Sequence, residues 1–150
     1  MKLTSSVFDH QGTIPMKYTQ WGEDINPPLS ISQVPEQAVS VVLILDDPYV
    51  PEYALVDVWD HWVVFNIPPS ITEIPEGWEV QGVRGIGTRK HLEYSGPKPP
   101  DREHRYFFKL YALDTILSLP EGSTKYEVEQ AMQGHVIEQV ELIGRSAPQV

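Results

Sequence analysis

The sequence contains no cysteine, so it has neither a disulfide framework nor a thiol nucleophile. It lacks any apolar run near the roughly 18 residues that a membrane-spanning helix needs. Its first residues lack the apolar stretch of a secretory signal. These absences give the expectation of a cytoplasmic protein with no transmembrane segment. Positive charge is also scarce. Eleven Lys and Arg stand against 21 Asp and Glu, a formal net charge of −10 over 150 residues. That balance opposes nucleic-acid binding through phosphates and docking on anionic lipid surfaces. A small anion can still be held, but only where a local site supplies donors against the overall field. No H-E-x-x-H and no close histidine pair occurs, so no metal is expected. Ser95 lacks the G-x-S-x-G setting of a nucleophile elbow. Gly82, Gly85 and Gly87 lack the spacing of a dinucleotide fingerprint, so no cofactor is expected either.

Proline, by contrast, is abundant, with 14 residues. It punctuates short apolar runs, which favours a mainly β fold over a helical one. A single domain spanning 1–150 is expected, and a chain of this size buries about 68–70% of its unfolded surface. Val39 to Leu45 is apolar on both faces, as a central strand between two layers requires. Asp46-Asp47-Pro48-Tyr49-Val50-Pro51 ends it, and His61 to Pro68 reads as the next strand. Weaker strands are expected over Met1–Phe8, Ile14–Tyr18, Leu29–Ile31 and Trp78–Val83. A strong one is expected over His104–Leu113 and a last one over Val136–Ile143. Thr124-Lys125-Tyr126-Glu127 has the spacing of a helix capping box and predicts a short helix ending at Gly134. Glu52–Asp60 is apolar for a loop and suits contact with the core or a partner. Arg84–Pro100, rich in glycine and proline, reads as a long functional loop.

Alternation along a strand puts Val39, Val41, Leu43, Leu45 and Asp47 on one face. By the same rule His61, Val63, Phe65 and Ile67 share a face, and so do His104, Tyr106, Phe108, Leu110 and Ala112. Three apolar rows therefore end in polar groups: Asp47, His61, and His104 with Tyr106. If the first two strands pair antiparallel, Asp47 and His61 meet at one rim of the sheet. A single histidine at a strand end is ordinarily just hydrogen-bonded there. The set of two imidazoles and a phenol suits a pocket for a phosphate or carboxylate. Asp47 would repel that anion unless it holds a histidine. The segment Gly96-Pro97-Lys98-Pro99-Pro100 precedes His104 and suits a wall with exposed backbone donors. His10, His91 and His135 have no evident partners.

A series of segments then carries a resemblance. Asn26-Pro27-Pro28-Leu29, Asp47-Pro48-Tyr49-Val50-Pro51, His61-Trp62-Val63-Val64-Phe65-Asn66-Ile67-Pro68, Gly96 to Pro100, His104-Arg105-Tyr106-Phe107-Phe108, Tyr111-Ala112-Leu113-Asp114 and Gly134-His135-Val136 occur in that order. Together the chain resembles the phosphatidylethanolamine-binding proteins, or Raf kinase inhibitor-like family, especially their small bacterial and archaeal members. The resemblance implies a Greek-key β-sandwich of two antiparallel sheets with one or two short peripheral helices. It implies a small anion-binding cavity at one end, formed by Asp47, Pro51, His61, Gly96, Pro97, His104 and Tyr106, and a Val50–Pro51 bond at a position that is cis in relatives. The implied function is non-enzymatic binding of a small anion such as phosphate or phosphoethanolamine. A protein partner, a kinase or a serine protease, is the alternative, and the apolar loop also suits a homodimer. A hydrolase using the Asp/His cleft is a third reading without an evident nucleophile. Tyr49-Val50 replaces the Asp-Ala that relatives often carry inside D-P-D-A-P.

Overall fold

Every residue of the strand Ser40–Asp47 is buried, as its two-sided apolar pattern requires. Val41, Leu43 and Leu45 enter one core, and Val42 and Ile44 enter another on the opposite face. Each fully buried side chain of this kind contributes about 1.5–3 kcal/mol. This strand is the axis of the molecule, a computed structural model in which residues 1–149 are described. The strands are β1 (Lys2–Thr4), β2 (Gly12–Thr13), β3 (Leu29–Ser32), β4 (Ser40–Asp47), β5 (Trp59–Ile67), β6 (Glu73–Ile74), β7 (Val83–Arg84), β8 (His104–Leu113) and β9 (Val136–Ser146), with helix α1 (Lys125–Met132) before the last. A small sheet has the order β1-β3-β6 and a large one the order β2-β9-β8-β4-β5-β7. Leu3, Leu29, Ile31 and Ile74 of the small sheet pack against Val41, Leu43, Leu45, Phe108 and Leu110 of the large one. The outer face of the large sheet is covered by Val128 and Met132 of α1, with Leu113 and Leu117. The mainly β sandwich with a peripheral helix is therefore observed.

The strand His104–Leu113 and the capped helix are found where the sequence placed them. Thr124 accepts from the Glu127 amide at 3.2 Å while Glu127 accepts from the Thr124 amide at 3.0 Å. Gly134 follows at φ +81°, a conformation that ends helices without a Cβ penalty. Four expectations need correction. Ile14–Tyr18 is not a strand: Met16–Tyr18 is a single 3-10 turn, and the neighbouring strand is Gly12–Thr13. That strand pairs parallel with β9, so the large sheet is mixed rather than purely antiparallel. Trp78–Val83 is a loop up to Val83. Its start is held off the ladder because the Trp78 amide donates to the Asn26 side chain at 2.8 Å. The Val50–Pro51 bond, whose form the sequence leaves open, is trans, the form a tertiary amide prefers by a small margin.

The fourth correction concerns β5, and it positions everything that follows. Leu45 pairs with Trp62, but Asp46 pairs with Asp60, so His61 is an extra residue on β5. A second extra residue lies near Asn66, which has φ +54°. Val63 and Phe65 face the outer core, whereas Trp62, Val64 and Ile67 face the inter-sheet core. Simple alternation from Val63 would send His61 outward. The bulge turns it inward beside Trp62, onto the face that carries Asp47 and Tyr106. Bulges of this kind re-aim side chains at functional rims.

Candidate functional site

Strands β4, β5 and β8 bring their polar ends to one corner. Asp46 pairs with Phe107, so Asp47 and Tyr106 come next in line on the inner face. His104 is buried there with Asp47. Its Nδ1 lies 2.6 Å from Asp47 Oδ2, and its Nε2 lies 2.7 Å from Asp101 Oδ1. Both partners are carboxylate oxygens, so both ring nitrogens are engaged by acidic side chains. The other Asp47 oxygen accepts from the Tyr49 amide at 2.7 Å. The Arg105 guanidinium lies over the Tyr49 ring, 5.1 Å from its centroid, and donates to its hydroxyl. These contacts pin the turn that carries Val50 and Pro51.

His61 is the second buried imidazole. Its Nδ1 lies 2.7 Å from the Ser95 carbonyl oxygen. A carbonyl only accepts, so Nδ1 carries the proton and a neutral ring leaves Nε2 as an acceptor. Burial pushes this imidazole below its ordinary value, against the Ser95 carbonyl and the charges of Asp47, Asp46 and Asp60. Tyr106 stands between the two histidines, edge-on to His61 at 5.3 Å and stacked with His104 at 6.2 Å. Burial, with Asp47 and Asp101 nearby, pushes the Tyr106 phenol well up. It therefore remains a neutral hydrogen-bond donor throughout the physiological range.

A cavity of about 450 Å³ opens beside this corner. Its polar wall is Gln20, His61, Arg89, Lys98 and Tyr106, and its apolar wall includes Val50, Pro51, Tyr53, Ala54 and Trp59. Of the seven residues expected at a pocket, Pro51, His61 and Tyr106 line it. Asp47 and His104 are not among them: Asp47 is held by His104 and the Tyr49 amide, and His104 by Asp47 and Asp101. Gly96 and Pro97 are also outside the lining. The Gly96 amide donates to Asp24 Oδ1 at 2.6 Å, and the Pro97 carbonyl accepts from the Gln20 amide at 3.0 Å. A Cβ on Gly96 would lie 2.3 Å from the Tyr18 carbonyl oxygen, so this segment packs closely enough to require glycine.

Sequence reasoning missed Gln20, Arg89 and Lys98. Arg89 and Lys98 lie in the long loop singled out for its glycines and prolines. Gln20 gave no local signal. Arg89 Nη1 donates to Ser95 Oγ at 3.0 Å and lies 3.9 Å from Asp24 Oδ2. Gln20 Nε2 donates to the Gly96 carbonyl at 3.0 Å. Asp101, which completes the His104 contacts, was also missed. A larger cavity of about 620 Å³ is lined by the carboxylates of Asp24, Glu79, Glu93 and Glu121, with Arg84 as its one cation. That excess of negative charge disfavours anions, so size does not identify the site. Among the described residues, no group of three or more His, Asp or Glu side chains is arranged to hold a metal ion. No helix among them is long and apolar enough to cross a membrane.

The family model for phosphatidylethanolamine-binding protein matches residues 4–147. The chain belongs to the phosphatidylethanolamine-binding protein family. A UPF0098 protein of Chlamydia trachomatis is 46% identical over 145 residues, covering 96% of this chain and 97% of the relative. A UPF0098 protein of Methanothermobacter thermautotrophicus is 47% identical over 154 residues, with coverage of 96% and 97%. The crystal structure of a phosphatidylethanolamine-binding protein homologue from Chlamydia trachomatis superposes with a TM-score of 0.95 at 44% identity, covering 98% of this chain and 97% of that one. YbcL of E. coli, described as a new member of the mammalian family, superposes with a TM-score of 0.86 at 25% identity, covering 99% and 98%. In this member of the family, the corner where β4, β5 and β8 end gathers histidine, tyrosine and cationic side chains around a hollow.

Proposed function

We propose that this protein is a non-enzymatic binder of a small anion, phosphate or a phosphate-bearing headgroup such as phosphoethanolamine. The carrying observation is the wall of the 450 Å³ cavity. It collects Arg89, Lys98, Gln20, His61 and Tyr106 and no carboxylate, in a chain of net charge −10. Arginine and lysine attract the anion, and the phenol and amide orient it. His61 donates only after Nε2 takes a proton, so anion binding and proton uptake are linked. Few contacts are available to so small a ligand. Affinity is expected between about millimolar and micromolar, about −4 to −8 kcal/mol. The binder reading is favoured over a hydrolase because Ser95 Oγ is buried, held by Arg89 and outside the lining of the cavity. His104 is held between two carboxylates and is not free to act as a base.

Calorimetric titration with phosphate, phosphoethanolamine and sulfate at pH 6 and pH 8 tests this reading. Sulfate keeps one charge across that range, so any change in its affinity reports on the protein. Binding of all three is expected, with sulfate tighter at pH 6, and Arg89→Met is expected to weaken it by about tenfold. Absence of heat, and of chemical-shift change at His61, for every anion at both pH values would overturn the reading.

One observation favours a second role at the same mouth. Leu55 is fully exposed and Tyr53 is 75% exposed, and Tyr53 also lines the cavity. Such an apolar rim suits contact with a partner protein, a kinase or a protease, or with a second copy of the chain. Pull-down with wild-type and loop-replaced protein separates this role from anion binding. Loss of the partner with unchanged anion affinity supports it, and unchanged capture refutes it.

A further inference from the structure

The inward turn of His61 is matched by a cluster of charges on the far side of the sheet. Asp46 and Asp60 are direct cross-strand partners, and like charges placed opposite each other repel. Lys125, the first residue of α1, answers both. Its Nζ lies 3.1 Å from Asp46 Oδ2 and 2.8 Å from Asp60 Oδ1. The contact with Asp60 is an ion pair whose angle falls short of a hydrogen bond, since Asp60 Oδ1 has no aligned donor among the described residues. Lys109 reaches Asp46 Oδ2 at 3.0 Å but does not pair with Asp60. Lys125 is mostly buried, at 14% side-chain exposure. Burial works against its charge, yet Asp60 and Asp46 outweigh burial and hold its ammonium above the ordinary value.

The consequence follows from the period of two. Counting back from Val63, which faces outward, a regular ladder points Trp62 inward, His61 outward and Asp60 inward. The cavity would then receive a carboxylate in place of an imidazole. A one-residue slip exchanges the two side chains completely. Asp60 anchored outward on Lys125 is compatible only with the bulged register, in which His61 faces Tyr106.

We propose that Lys125 is a positioning residue for the anion site: by pairing with Asp46 and Asp60 on the helix-covered face, it holds the bulge that aims His61 into the cavity. The anion part rests on the function proposed above, whereas the aim of His61 does not. Lys125 touches no ligand and acts only through the strand.

The experiment compares wild type with Lys125→Met, Lys109→Met and Lys125→Arg. It reads the His61 titration by imidazole NMR and the affinity for inorganic phosphate by calorimetry. In Lys125→Met the His61 titration is expected to rise from its depressed position toward the ordinary imidazole value of about 6.5. Phosphate affinity is expected to fall by about tenfold, the scale of one charge-assisted hydrogen bond. Lys109→Met is expected to change neither, and Lys125→Arg to restore both. A folded Lys125→Met with wild-type titration and affinity overturns the proposal, as does an equal effect from Lys109→Met. If Lys125→Met does not fold, Asp60→Asn removes the same pair at constant volume and takes the same readouts. If neither folds, the role is structural only and the proposal fails. If wild type binds no phosphate, the anion reading fails, while the His61 titration still decides whether Lys125 sets its aim.

Discussion

Replacing Asp47 by alanine should be among the most damaging single changes in this protein. The carboxylate is 3% exposed. One oxygen meets His104 Nδ1 at 2.6 Å and the other accepts the Tyr49 amide at 2.7 Å. Removing one partner of a buried pair costs about 3–5 kcal/mol, because the other is left unpaired. Losing the hydrogen bond to the Tyr49 amide adds about 1 kcal/mol. The sum, about 4–6 kcal/mol, is a large part of a total stability that is usually about 5–15 kcal/mol. For a domain of this length it lowers Tm by about 10–20 °C. Urea unfolding followed by tryptophan fluorescence measures it. Glu121→Ala, which breaks the exposed Arg84–Glu121 pair at 3.2 Å, serves as the reference and should cost no more than about 1 kcal/mol. In a His104→Ala background, Asp47→Ala should cost about 2 kcal/mol less than in wild type, since coupled neighbours are not additive. A cost for Asp47→Ala equal to that of Glu121→Ala, or full additivity with His104→Ala, would refute the reasoning.

Other consequences can be checked independently. Burial holds His61 below its unfolded value of about 6.5, so the unfolded chain takes up that proton first. Stability from this residue is complete above that pH and is lost as pH falls toward the folded value. Thermal unfolding of wild type at pH 7.5 and 5.5 should show this loss, and His61→Gln should show a smaller one. Thr124→Ala removes the cap of α1 and should cost about 1 kcal/mol, or about 2–4 °C in Tm. An unchanged Tm would show that tertiary packing alone holds the helix start. Gly85→Ala puts a Cβ 2.6 Å from both the Ser123 carbonyl oxygen and Val63 Cγ1. Such overpacking should destabilise by about 1–3 kcal/mol, measured in urea.

The parts of the fold that were legible in the chain are those governed by local periodicity. Residues His104 to Tyr111 alternate without interruption, and the observed strand runs from His104 to Leu113. The capping box placed α1 because its hydrogen bonds close within four residues. By contrast, β5 was read as His61–Pro68 where the strand is Trp59–Ile67, and His61 and Ile67 were put on the face of Val63 and Phe65. A bulge arises from pairing with another strand, and period two carries no trace of it. His61 reached the expected corner through a register that the sequence argument did not contain. Trp78–Val83 misled for a related reason: Trp78 and Val80 pack against the inter-sheet core without joining a ladder, so apolar character there reflects burial rather than pairing. Gln20 meets Arg89 and Lys98 only because two loops far apart in the chain fold over one corner. Asp47 and His104 were rightly grouped, but their saturation by each other and by Asp101 was legible only in three dimensions.

The outermost strands of both sheets are short: β1 has three residues and β2, β6 and β7 have two each. Of the long strands, β4 and β8 are paired on both sides, whereas β9 meets β2 only at Gly144 and Arg145 and leaves residues 136–142 paired with β8 alone. A sandwich built from distant segments folds slowly and exposes its ribbons on the way. Once it is native, the margins at β1, β6 and β7 are too short to template another chain, and the outer side of β9 over residues 136–142 is the longer one left. Cross-strand growth is thereby confined to that side of β9, where Glu138 and Glu141 put like charges that a second copy would have to bring together.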